Sequence, residues 1–262
     1  MIAGIRFVDA TTGGVVRQPL QLQATSSQFV QNQSGIYVLL SAPGFEEYIH
    51  TFKDSSNNSS SLSSVEPAAF NLTITVQDLS GQYLPRQFSL SLPRDANSAP
   101  NASTHEDSLF TPAEVVLYPS AIASTNPNWT VLKATVLNNA NRRLPWALIR
   151  TTVNAETTLS QADWRGEALI AISGLPIVTA STDESADPST REFSAELEVV
   201  FDPALNTLAE NADFLTTVDP NPDYMPDLEQ INASRGTLQT GQETLLLTSG
   251  QSRSMRLAVT LT

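Results

Sequence analysis

The sequence predicts an all-β protein made of two tandem β-sandwiches, with a short helix and a C-terminal β-hairpin. Three observations carry that reading. Apolar and polar residues alternate with period two, as in Leu20-Gln21-Leu22-Gln23 and Phe88-Ser89-Leu90-Ser91-Leu92, the pattern of a strand with one buried face. Turn-forming residues recur at short intervals between the alternating runs. Charged residues are sparse, at 16%, and hydroxyl and amide side chains stand in their place, a composition that suits pleated surfaces.

The elements follow in order. Residues 5–25 read as strand, polar turn, proline, strand, and the pattern returns at residues 72–92 and 131–153. The turns are Thr11-Thr12-Gly13-Gly14, Leu79-Ser80-Gly81-Gln82 and Asn138-Asn139-Ala140-Asn141, all rich in residues that tolerate a left-handed backbone or bond their own main chain. Pro19, Pro85 and Pro145 open the return strands, where a missing N–H harms no ladder bond. The stretch Asn32–Phe45 reads as a tight turn at Ser34-Gly35, a strand through Ile36, Tyr37 and Val38, and a stop at Pro43-Gly44. Asp163-Trp164-Arg165-Gly166-Glu167 opens a second strand by the same logic.

These copies set the expected domains: a first sandwich at 1–100, a second at 101–202, and an acidic tail at 203–262 with a helix and a hairpin. Asp54–Ser64 is expected to be a disordered-type loop, and Arg94–Thr104 the linker. Asp202-Pro203 is a good helix start, and Leu205, Leu208, Ala209, Ala212 and Leu215 then fall at helical spacing. Residues 219–229 carry too many prolines for regular structure. Glu243–Thr248 and Met255–Leu261, joined at Ser249-Gly250-Gln251, form the expected hairpin, a device suited to strand addition in its own chain or a neighbour's.

Composition excludes several classes. A net charge of −13 argues against nucleic acid, which needs a basic face. Residues 183–232 hold thirteen acidic side chains against Arg191 alone, a balance that suits either a solvated face or a patch docking on a basic partner. Within that stretch Asp213, Asp219, Asp223, Asp227 and Glu229 are the candidate docking residues. No apolar run is long enough to span a membrane, and the N-terminus lacks the apolar core of a secretory signal, so cytoplasmic assembly is expected. A finished particle could still be released or sit at a membrane.

Candidate chemistry is thin. His50 and His105 have no spaced His or Cys partner, so neither a zinc site nor a histidine-based triad is expected, and no cofactor motif occurs. Asp219, Asn221 and Asp223 match the first three positions of a calcium loop, but Tyr224 and Gln230 stand where that loop needs Gly and Glu. A metal is therefore not expected. Trp129, Trp146 and Trp164 suit core or rim packing; as a sugar platform they would need at least two members exposed on one face.

Asp9, Thr12-Gly13, Pro19, Gly35, Tyr37 and Pro43-Gly44 together resemble the carboxypeptidase-regulatory-like (prealbumin-like) sandwich, with an echo at Asp78, Gly81 and Pro85. The resemblance covers about the first 95 residues, degenerates toward residue 176, and implies an Ig-like or prealbumin-like scaffold. The whole layout also resembles accessory structural proteins of phage-tail-like contractile injection systems. That likeness implies a non-enzymatic structural or adaptor subunit whose partners are other subunits of the particle, at its baseplate or accessory region. A carbohydrate-binding or adhesive module is the alternative expectation.

Overall fold

The computed structural model describes residues 2–45, 68–95, 107–175 and 192–262. The predicted loop Asp54–Ser64, both histidines and most of the predicted linker lie outside these residues. The chain is all-β, and it divides into two compact units.

The first unit has seven strands: β1 (Ala3–Asp9), β2 (Gln21–Gln23), β3 (Gln28–Gln31), β4 (Tyr37–Ser41), β5 (Phe70–Gln77), β6 (Arg86–Leu92) and β7 (Ala113–Leu117). They form two sheets, β3-β4-β1-β7 and β2-β5-β6. Phe7 of β1 packs edge-on against Tyr37 at 5.5 Å and against Phe88 of the other sheet at 6.0 Å, joining the layers in an aromatic core. The Tyr37 hydroxyl accepts the Leu20 N–H at 2.6 Å, so the chain entering β2 is tied to β4. The phenol lies above its ordinary pKa because it is buried.

β7 pairs with β1 in parallel, from Ile5↔Ala113 to Asp9↔Leu117. Arg86, 1% exposed, donates Nη1 to the Val116 carbonyl at 2.5 Å. The first unit therefore runs to Leu117, later than the boundary expected at residue 100. Arg94, expected in a linker, is buried and ion-paired with Asp107 at 3.4 Å.

The second unit contains β8 (Thr130–Asn138), β9 (Arg142–Arg143), β10 (Leu148–Val153), β11 (Glu156–Gln161), β12 (Glu167–Ile172), β13 (Glu192–Phe201), β14 (Leu208–Ala209), β15 (Gln239–Thr248) and β16 (Ser252–Val259). One sheet runs β11-β10-β13-β15; the other runs β12-β8-β9-β14, with β16 parallel to β8. Val136, Leu144, Ile149, Ile170, Leu197, Val199 and Leu257 fill the core between them.

Three turns share one construction. Asn32 Oδ1 accepts the N–H groups of Ser34 and Ile36, each at 2.9 Å, with Gly35 at φ +82°. Asp163 does the same for Arg165 and Glu167, at 2.8 and 3.0 Å, with Gly166 at φ +74°. Asn138 does it for Ala140 and Arg142, at 3.0 and 2.9 Å, with Asn141 at φ +55°. A short amide or carboxylate one residue before the turn replaces the ladder bonds that the reversal removes. Of the three strand–turn–strand copies, only β5–β6 is a paired hairpin throughout; β1 to β2 and β8 to β10 cross to the opposing sheet.

Two expectations need correction. No helix follows Asp202-Pro203: Asp202 Oδ1 turns the chain by accepting the Ala204 N–H at 2.9 Å, and Leu208-Ala209 become β14 against β9. Arg142 fixes that pairing by donating to Thr207 Oγ1 and the Thr207 carbonyl, at 3.0 and 2.9 Å. The helix, α1, is Leu228–Ala233 instead, capped by Asp227, which accepts the Gln230 N–H at 3.2 Å. The terminal hairpin is an arch. β15 pairs with β13 over ten residues and β16 pairs with β8, so the two strands join opposite sheets and residues 203–262 belong to the second unit.

Candidate functional site

The acidic residues sit on an irregular stretch, 202–227, that side chain–backbone bonds shape in detail. The Asn206 N–H donates to Asn221 Oδ1 at 2.8 Å, and Asn221 Nδ2 donates back to the Asn206 carbonyl at 3.1 Å. Asn206 Nδ2 also reaches the Pro220 carbonyl at 3.1 Å, so both ends of a 206–221 loop are clasped together. Within the loop, Asp213 Oδ1 accepts the Leu215 N–H at 3.0 Å, and its carbonyl accepts the Thr216 and Thr217 N–H groups at 3.0 and 2.8 Å. Asp219 Oδ1 accepts the Asn221 N–H at 2.8 Å.

Phe214 turns inward. Its ring meets Trp164 edge-on at 5.7 Å, and the Arg143 guanidinium lies 4.7 Å over its face. Arg143 is itself held by the Glu210 carbonyl at 2.9 Å and by Glu167 at 3.4 Å. Trp164 stands beside the buried Asp163, which Arg165 pairs at 2.7 Å. Burial pushes the Asp163 carboxyl above the usual range, against the lowering bonds from the Glu167 and Arg165 groups. With Phe214 anchored, its neighbour Leu215 is left 96% exposed, and Val218 is 79% exposed.

The five predicted docking residues divide by role. Asp213 and Asp219 close turns, Asp227 caps α1, and Asp223 and Glu229 are exposed, the latter in the first turn of α1. Asp202 and Asp227 converge on Tyr224, whose phenol is pushed up to about 12, first by burial and then by those two carboxylates. The calcium candidate loses its middle ligand, because the Asn221 carboxamide oxygen already serves the Asn206 N–H. Among the described residues no three His, Cys, Asp or Glu side chains are grouped to hold a metal ion.

The tryptophans do not make a platform. Trp146 is buried and stacks obliquely on Tyr224 at 6.3 Å; Trp129 and Trp164 are half-buried against separate neighbours. In the first unit a cleft of about 470 Å³ is lined by Arg6, Ser89, Ser91, Arg94, Asp107 and Glu114, with Arg94 paired to Asp107. Sequence reading missed Leu215, Val218 and the Asn206–Asn221 clasp. The clasp spans fifteen positions and leaves no local pattern; Leu215 read as part of an apolar helical stripe.

These features define the class: an all-β, tandem-sandwich protein that displays an acid-flanked apolar loop. No protein-family model matches the chain, and no curated protein matches it. A solved structure, the Bacillus anthracis TIE protein, is similar over 92% of this chain and 34% of its own, at 10% identity and a TM-score of 0.23. This chain thus spans about a third of that protein's length, and likeness at that score assigns neither fold nor function. Among the described residues no helix is long and apolar enough to cross a membrane.

Proposed function

We propose that the chain is a non-enzymatic structural or adaptor subunit of a large protein assembly, docking through the 206–221 loop. The observation behind this reading is the display of Leu215 and Val218 between Asp213 and Asp219 on a backbone already held by its own side chains. A loop fixed before binding loses little entropy when it docks. Two exposed apolar side chains then serve as anchors for a partner pocket, and the flanking carboxylates favour a basic rim around it. The first sandwich, of the carboxypeptidase-regulatory-like kind, acts as a spacer. The setting is a phage-tail-like contractile injection particle, assembled in the cytoplasm, with this chain in the baseplate or accessory region.

Native pull-down from the source cells tests the proposal. Wild type should bring down large particles, and a Leu215→Asp, Val218→Asp double variant should not. A wild-type chain that stays monomeric and partner-free in its own cell extract would refute it. Trp146, buried, removes one of the three rings on which a carbohydrate-binding reading relies.

A further inference from the structure

Among the described residues, the outer edge of β15 beyond Gly241 pairs with no strand. Its phase is set by its first residues: the Thr240 N–H donates to the Thr262 carbonyl at 3.3 Å, and the Thr262 N–H donates to the Thr240 carbonyl at 3.0 Å. Thr240 therefore directs its main-chain groups away from β13. The ladder with β13 is unbroken from Glu192↔Thr248 to Phe201↔Gln239, so alternate residues share that direction. Gln242, Thr244 and Leu246 consequently turn their N–H and C=O groups outward, and among the described residues no strand pairs with them. Below Gln242 the edge is closed by the Thr240–Thr262 pair.

Edge strands in soluble proteins are blunted by bulges, prolines, lysines or inward charges. From Gln242 to Thr248 β15 has no bulge, proline or lysine: its one charge is Glu243, its register is regular, and Leu246 is 62% exposed. β16, the matching edge of the opposing sheet, carries Arg253 and Arg256. Of the two terminal edges, only β15 carries no cation.

We propose that β15 pairs antiparallel with β15 of a second copy of this chain. A register centred on Thr244 sets Thr244 against itself and Gln242 against Leu246, which satisfies all three outward residues with about six main-chain hydrogen bonds. The same register places Glu243 against Leu245, so the one charge on the strand never faces its own copy. Two four-stranded sheets become one continuous sheet across the two-fold axis. The docking loop takes no part, so this pairing stands or falls independently of the proposed subunit role.

Sedimentation equilibrium of the full chain tests it, in a concentration series at low and high salt. Wild type should dimerise, and more tightly in high salt, which screens the repulsion between two chains of charge −13. Leu246→Pro removes an outward donor while leaving the β13 ladder intact, and Thr244→Lys sets a cation against its own copy. Both should weaken the dimer at least about tenfold with an unchanged melting temperature. Leu246→Ala keeps the donor and should remain dimeric, as should the Leu215→Asp, Val218→Asp variant. A monomeric wild type, dimers indifferent to both Leu246→Pro and Thr244→Lys, or dimers lost equally in Leu246→Ala would overturn the proposal. So would a monomer that takes up an extended segment of a different protein along this edge.

Discussion

Asn206 and Asn221 hold one another across fifteen residues: the Asn221 carboxamide accepts the Asn206 N–H at 2.8 Å and returns a donor to the Asn206 carbonyl at 3.1 Å. Asn221 is 8% exposed while Asn206 is exposed, so both bonds are partly sheltered from water. Asn221→Ala should lower unfolding free energy by about 1 kcal/mol, because it removes both bonds to the Asn206 main chain. Asn221→Asp, which keeps the acceptor and loses the donor, should fall between. Denaturant unfolding of the three proteins checks the order. Added calcium should leave the wild-type melting temperature unchanged, and a calcium-dependent rise would mean that the clasp opens to free its oxygen.

Leu215 and Val218 contribute nothing to the core, so Leu215→Asp and Val218→Asp should alter stability by no more than about 0.5 kcal/mol while abolishing particle capture. Phe214→Ala should behave differently. Losing the contacts to Trp164 and Arg143 should cost about 1 kcal/mol and also weaken capture, although both anchors remain. Thermal melts and pull-down on the same variants separate display from folding.

The acidic residues are not equivalent. Asp227→Ala removes the α1 cap and should cost about 1 kcal/mol, whereas Asp223→Ala, on an exposed carboxylate, should stay within about 0.5 kcal/mol of wild type. Chemical denaturation of the pair decides the point. Equal costs would mean that the cap does not hold the helix.

Tyr224 makes stability fall at alkaline pH. Its phenol ionises near 12 in the folded chain and near 10 when unfolded, so between those values the unfolded state holds fewer protons. Stability should therefore decline as pH rises through that window, and Tyr224→Phe should flatten the decline. A phenolate absorbance titration should lose its latest-titrating tyrosine in the variant, while Tyr37, raised by its own burial, still titrates above the ordinary range.

Asp163 has the opposite leaning to most carboxylates. Burial raises its folded pKa, so protonation as pH falls favours the folded chain and this group opposes acid unfolding. Asp163→Asn keeps an acceptor for the Arg165 and Glu167 N–H groups and should lie within about 1 kcal/mol of wild type; Asp163→Ala, which strips both, should cost about 1–3 kcal/mol. Acid unfolding curves of the two variants provide the measurement.

Much of the fold was legible because it is local. Gly35 and Gly166 announce left-handed turns, and Asn32, Asn138 and Asp163 announce their own caps, since an amide or carboxylate reaches only a few residues along the chain. The helix was read in the wrong place. The apolar spacing after Asp202 gave a false helical stripe, and the prolines of 219–229 hid the true start, where Asp227 caps Leu228–Ala233. That stripe failed because Arg142 and Arg143, sixty residues away, bind the segment as β14 and leave Leu215 outside.

The amino-acid order alone determined that this chain is built of strands, where its turns fall, and that its charge gathers in the last third; each depends on neighbours within a few residues. The tertiary structure alone decided which sheet each strand joins, that β7 returns to the first unit, that β15 and β16 part company, and that Leu215 is presented alongside the exposed carboxylates. Those outcomes depend on main-chain partners and core contacts brought together from distant positions, and no local pattern encodes a distant partner.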